Sequence, residues 1–89
     1  MALTIFYAPQ FKRDYKKLST KLQTELKERG KLFQEKPFHP LLKTHKLTGK
    51  LDGIWAFSID IKHRILFQFK DKDSVVLLRV GDHSVYRNK

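Results

Sequence analysis

Between Ile54 and Arg87 the chain reads as three short strands with little between them: IWAFSIDI, HRILFQFK and DSVVLLRV, followed by the tail GDHSVYRNK. Apolar and β-branched residues alternate or run together in each, the pattern of a sheet with at least one buried face. In the first strand Trp55, Phe57, Ile59 and Ile61 fall on one side, while Ala56, Ser58 and Asp60 fall on the other. In the second, Ile65, Phe67 and Phe69 alternate with Arg64, Leu66 and Gln68. Val75 to Val80 is nearly all apolar, as a central strand covered on both sides would be, and Arg79 is the exception. Asp60, His63, Arg64, Arg79, His83 and Tyr86 sit at strand ends or just past them. There carboxylate, imidazole, guanidinium and phenol can converge on one rim, which is more than a stable sheet requires.

Upstream, Leu3–Tyr7 predicts a first strand, ended by Ala8-Pro9 because proline cannot continue a ladder and suits a helix start. Phe11, Tyr15 and Leu18 recur at helical spacing, with Lys12, Arg13, Lys16 and Lys17 on the other face. Ser19-Thr20 breaks this helix, and Thr20-x-x-Gln23 has capping-box spacing for a second. Leu22, Leu26, Arg29 and Phe33 continue a second stripe, weakened by Gly30 and ended by Pro37. Two helices joined by a tight break read as an antiparallel pair whose apolar stripes must cover the sheet. Residues 37–53 read as a basic loop, in which Lys43, Lys46 and Lys50 flank His39 and His45. His39, beside Pro40, reads as structural, and His63, at a hairpin turn, as exposed. The order β-α-α-β-β-β, with room for one further β, predicts a small α+β fold: a helical hairpin on one face of an antiparallel-dominated sheet.

At 89 residues the chain is one domain, 1–89, burying roughly 60–65% of its unfolded surface. No apolar run approaches the roughly 20 residues of a membrane span, and the N-terminus lacks the basic segment of a signal peptide. The absence of cysteine excludes disulfides and fits a cytoplasmic address. Nineteen Lys and Arg against nine Asp and Glu give a net charge of +10, a field that favours a polyanionic partner.

His83 stands out, because Arg79, His83 and Tyr86 fall within eight residues on a stretch leaving the sheet. Histidine titrates near neutrality and can give or take a proton. Arg64 and Arg79 interrupt apolar strands, where they either pair with a carboxylate such as Asp60 or bind phosphate. His45, with Lys43 and Lys46 beside it, is either a loop histidine, a phosphate contact or a second proton-transfer group. No His or carboxylate pair has metal-ligand spacing, and glycine-rich phosphate loops and nucleophile elbows are absent, so no metal and no cofactor are expected. RNA carries its own nucleophile, the 2′-hydroxyl, so a basic protein with acid–base groups and arginines can cleave it without a metal.

These segments resemble the RelE/ParE superfamily of bacterial toxins from toxin–antitoxin modules, and most of all its RelE, YoeB and YafQ branch of ribosome-dependent mRNA endonucleases. The resemblance rests on Leu42–Leu47, Gly53–Ile59, His63–Phe67 and Val80–Tyr86, in that order and spacing. It implies that Arg64 contacts the scissile phosphate, that His83 protonates the leaving 5′-oxygen, and that Tyr86 stacks on or orients a nucleotide. His45 matches the loop histidine of the YafQ branch, and Arg79, Lys43 and Lys46 are phosphate-contact candidates. Asp60 is either the base or a group that orients His45 or an arginine. RelE itself has a lysine-rich second strand that would fall on Ser58 and Asp60, so the base assignment stays open.

The resemblance implies the toxin of a type II toxin–antitoxin system, acting on mRNA against ribosomal RNA and held inactive by an acidic antitoxin through which the complex binds operator DNA. Two other readings suit the same fold and charge: a ParE-like, non-catalytic inhibitor of DNA gyrase, and an inactive relative that only binds RNA or antitoxin.

Overall fold

The computed structural model describes residues 2–51, 53–82 and 85. Strand β1 (Thr4–Tyr7) leads into helix α1 (Pro9–Lys16), with Pro9 in the first turn where its missing N–H costs nothing. Helix α2 (Thr20–Glu35) follows after three residues. Its cap lies one residue ahead of the expected Thr20: Ser19 Oγ accepts the Leu22 N–H at 3.1 Å. Gln23 does not complete a capping box. Its Nε2 donates to the Tyr15 carbonyl at 2.8 Å, tying the two helices at their junction. The single Gly30 leaves the helix unbroken, because the buried stripe of Leu22, Leu26 and Phe33 outweighs a local propensity cost of about 1 kcal/mol.

The sheet has five strands in the order β1-β5-β4-β3-β2. β3 (Trp55–Ser58), β4 (Arg64–Asp71) and β5 (Ser74–Gly81) form the antiparallel meander, and β1 joins β5 in parallel, which gives β5 a neighbour on both sides. Residues 37–53, expected as loop, contain two single 3₁₀ turns and the edge strand β2 (His45–Lys46), paired with Ala56 and Trp55. The whole is an α+β domain of two helices on a mixed sheet.

Helices and sheet enclose the main core, in which Phe33 is fully buried and stacks on Phe57 with ring centres 4.2 Å apart. Truncating such a side chain costs about 3–5 kcal/mol. The alternation expected for β3 holds through Ile59 and then fails. Ile61 is 94% exposed, since the strand ends at Ser58 and residues 59–62 turn back toward β4. The far face carries a smaller cluster of Ala56, Leu66 and Val85, flanked by Leu47, Ile54 and Leu78. Among the described residues no helix is long and apolar enough to cross a membrane.

Candidate functional site

Strand register places the candidate groups. Ser58, Arg64 and Gly81 lie opposite one another across β3, β4 and β5. Two residues along, His45, Ala56, Leu66 and Arg79 form a parallel row. Opposed residues share a face and so do residues two apart, so His45, Ala56, Ser58, Arg64 and Leu66 belong to the face of the Ala56–Leu66–Val85 cluster, away from the helices, whereas Arg79, next to the bulge at Leu78, turns to Asp14 on α1. His45 and Arg64 therefore rise from the same face, with their α-carbons about 12 Å apart by standard sheet spacings. Lys46 shares its row with Trp55, so its side chain leaves on the opposite side from His45.

Arg64 is anchored by one nitrogen. Its Nη1 donates to the carbonyls of Asp60 (2.8 Å), Ile61 (3.1 Å) and His63 (3.2 Å), closing the turn between β3 and β4. Among the described residues its Nε and Nη2 make no hydrogen bond, which leaves the fork for a bidentate acceptor. Ser58, its neighbour across the strands, is 6% exposed.

His45 is exposed, and its Nδ1 lies 2.9 Å from the carbonyl of Lys43. That carbonyl is aimed by a left-handed backbone at Lys43 (φ 51°), rare for a residue with a β-carbon. In the neutral ring, Nδ1–H donates there and Nε2 keeps a free lone pair, the tautomer a base needs.

Asp60 faces neither His45 nor the guanidinium of Arg64. Its Oδ1 accepts from the backbone N–H of Lys62 (2.9 Å) and His63 (2.7 Å) and sits 2.9 Å from His63 Nδ1. Burial pushes this carboxyl up, but the His63 ring and the two backbone donors outweigh it and hold Asp60 below its ordinary value. Its main-chain carbonyl, not its carboxylate, reaches Arg64. His63, set aside from sequence as exposed, is half-buried and held by Asp60.

Arg79 is committed elsewhere. Its Nε and Nη2 donate to the two oxygens of Asp14 on α1 at 2.8 and 3.3 Å. Sequence reasoning missed Asp14. It is the one acid in an otherwise basic helix and falls three residues after Phe11, on the buried side, which was the available signal. Lys43 is exposed at the rim. His83 and Tyr86 lie outside the described residues, as does the interval between Gly81-Asp82 and Val85 that would place them. Val85 itself is buried over Gly81, and its N–H donates to the Asp82 carbonyl at 3.1 Å. His39 is structural, since its Nδ1 accepts the Leu41 N–H at the start of a 3₁₀ turn. Among the described residues no three His, Cys, Asp or Glu side chains converge as metal ligands.

A concavity opens on the helical side. It measures about 900 Å³, lies between α1, α2 and the sheet, and is lined by Tyr7, Phe11, Tyr15, Leu26 and Phe33 among others. Exposed Lys12, Lys16, Lys27 and Lys31 border it, with no acidic residue among its lining.

A helical hairpin on one face of a five-stranded mixed sheet is the fold of RelE-like toxins. Residues 3–87 match the family described as the bacterial toxin of type II toxin–antitoxin systems, YafQ, and the chain belongs to that family. The fold is similar to YafQ from E. coli strain BL21(DE3), with a TM-score of 0.79 at 18% identity over 97% of this chain and 99% of that one. It is equally similar to a chain of the RelBE2 toxin–antitoxin complex from Mycobacterium tuberculosis, with a TM-score of 0.79 at 21% identity over 93% and 100%. A chain of the E. coli DinJ–YafQ toxin–antitoxin complex gives 0.77 at 17% identity over 99% and 100%. No curated protein gives a significant sequence match. By that family, the protein is the toxin component of a type II toxin–antitoxin system.

Proposed function

We propose that this toxin is an endoribonuclease that cuts mRNA on the ribosome, using the RNA 2′-hydroxyl as nucleophile. The observation that carries the reading is the register: His45 and Arg64 share one face, and Gly81, two residues ahead of His83 in sequence, lies opposite Arg64. His45 Nε2 takes the proton of the 2′-hydroxyl as its oxygen attacks the adjacent phosphorus. The free Nε and Nη2 of Arg64 bind the non-bridging oxygens, where negative charge grows. As the bond from phosphorus to the 5′-oxygen breaks, His83 delivers a proton to that oxygen. The products are a 2′,3′-cyclic phosphate and a 5′-hydroxyl, and no atom or charge is left over. Asp60, held ionised below its ordinary value, fits the work of fixing the His63 turn and with it Arg64 better than that of a base. Lys43 adds charge at the rim, Tyr86 would stack on a base, and the net charge of +10 favours a surface of ribosomal RNA. The address is cytoplasmic, where ribosomes are.

The antitoxin fits the helical side. A groove lined by aromatic and aliphatic side chains and bordered by four lysines suits an acidic amphipathic segment.

The test is translation-dependent mRNA cleavage by purified toxin. Wild-type cleavage that is lost in His83→Ala, Arg64→Ala and His45→Ala supports the reading. Full cleavage in all three removes it. Inhibition of gyrase supercoiling without cleavage would establish the ParE-like alternative instead.

A further inference from the structure

The end of β5 is held on its two sides by different kinds of neighbour. On one side β4 pairs normally, Ile65 with Val80 and Arg64 with Gly81. On the other, β1 accompanies β5 only as far as Leu77, where the Ala8 N–H makes the last bond to the Leu77 carbonyl at 2.9 Å. Beyond that point the place of a strand is taken by one side chain. Asp14 Oδ2 accepts the Val80 N–H at 3.1 Å and Arg79 Nε at 2.8 Å. Its Oδ1 accepts Arg79 Nη2 at 3.3 Å and Gln10 Nε2 at 2.9 Å. The carboxylate is 8% exposed and each of its oxygens has two donors. The register also shifts here: Leu66 faces Arg79 whereas Phe67 faces Leu77, so Leu78 is an extra residue. Such a bulge re-aims the residues beyond it.

We propose that Asp14 is a positioning residue for the cleavage reaction, fixing through Arg79 and Val80 the point at which the chain leaves the sheet toward His83. A buried carboxylate with four donors is a costly way to hold two elements together, and packing alone would join α1 to β5. What the carboxylate adds is a fixed position for Val80, and hence for Gly81 opposite Arg64. The same arrangement accounts for an arginine in an otherwise apolar central strand: Arg79 serves the sheet's exit and not an RNA phosphate. Bonds from Arg79, Gln10 and the Val80 N–H keep the acid ionised in spite of its burial.

The kinetic consequence rests on the nuclease reading, while the geometric one does not, and the experiment keeps them apart. Steady-state cleavage over a range of programmed-ribosome concentrations is measured for wild type, Asp14→Asn, His83→Ala and the double variant, each checked for folding by circular dichroism at the assay temperature. The expected result is a kcat lowered about 10- to 100-fold in Asp14→Asn with KM within twofold of wild type. In the His83→Ala background the same substitution should cost less than twofold, because the group it positions is gone. A merely stabilising role would give losses that multiply, and that outcome overturns the proposal, as does wild-type kcat in Asp14→Asn. Should Asp14→Asn not fold, Gln10→Ala removes one donor and leaves the ion pair. It should show the same non-additivity with a loss of about two- to fivefold, and full additivity there would equally overturn the proposal. Should wild type not cleave at all, the nuclease reading fails alone. Amide spectra then decide: Asp14→Asn must shift Val80, Gly81 and Val85 and speed hydrogen exchange at Val80, and unchanged spectra refute the positioning role.

Discussion

Gly81 lies directly across the sheet from Arg64, and Val85 sits so close above it that a β-carbon on residue 81 would stand 2.9 Å from Val85 Cγ1. A glycine is needed here for space, since the buried Val85 folds back over the strand it has just left. One face of the same residue thus receives Val85, while its strand partner carries a guanidinium whose Nε and Nη2 make no hydrogen bond among the described residues.

Gly81→Ala should therefore displace the C-terminal segment more than it unfolds the protein. Overpacking of a β-branched neighbour costs about 1–3 kcal/mol. An unfolding free energy lowered by that amount, read from a lower urea midpoint, is expected, together with a loss of cleavage that persists well below the unfolding transition. Equal cleavage by the folded fraction would contradict it.

Arg64→Lys should behave nearly as badly as Arg64→Ala. A lysine carries the charge, but its single ammonium cannot hold the carbonyls of the Asp60–His63 turn and at the same time present a separate fork to phosphate. Loss of one such group costs about 10²–10³-fold in rate. Single-turnover cleavage of the two variants, side by side, checks this.

The Asp14–Arg79 pair also sets an acid limit on stability. Burial raises the carboxyl, but its hydrogen bonds and the charge of Arg79 outweigh this and leave it below the ordinary 3.8. A group depressed in the folded state stabilises fully above its unfolded value, and that contribution disappears as pH falls through the folded one. Urea midpoints of wild type should hold as far as Asp14 is concerned down to about pH 5 and then fall below about pH 4. Asp14→Asn should start lower and fall less steeply over that interval.

On the helical side, Gly30 has nothing within 4 Å of where a β-carbon would project. Gly30→Ala should stabilise the free toxin by about 0.5–1 kcal/mol, read as a higher urea midpoint. Lys27→Glu with Lys31→Glu should instead slow antitoxin association and reduce its salt dependence while leaving cleavage by free toxin unchanged. Stopped-flow binding with an acidic antitoxin at two salt concentrations measures it.

Strand β1, the three strands of the meander and the two helices were legible because each sends apolar side chains into or against one core: Ile5, Phe57, Ile65 and Phe67, Val75 and Leu77, Phe11, and Leu22 and Leu26. The two-residue strand β2 was not, since two residues have no periodicity and His45–Lys46 forms only because Ala56 and Trp55 offer an edge. Ile61 misled because alternation continues in the sequence after the strand has ended. For the candidate site, the sequence offered residue types, and the side-chain pairings of Asp60 and Arg79 came only with the structure. Asp60 was read as a base or as orienting His45 or an arginine and bonds His63, and Arg79 was read as paired with a carboxylate such as Asp60 or bound to phosphate and bonds Asp14. Both partners are polar contacts set by turns and a bulge, 65 residues apart in the second case.

The most direct test of the account is the chemistry of the ends left on mRNA by wild-type toxin in a translating extract, compared with His83→Ala and Arg64→Ala. The account requires a 2′,3′-cyclic phosphate and a 5′-hydroxyl at each cut, with cuts reduced at least 100-fold in either variant. A 5′-phosphate at the cut, or undiminished cleavage in both variants, would contradict it.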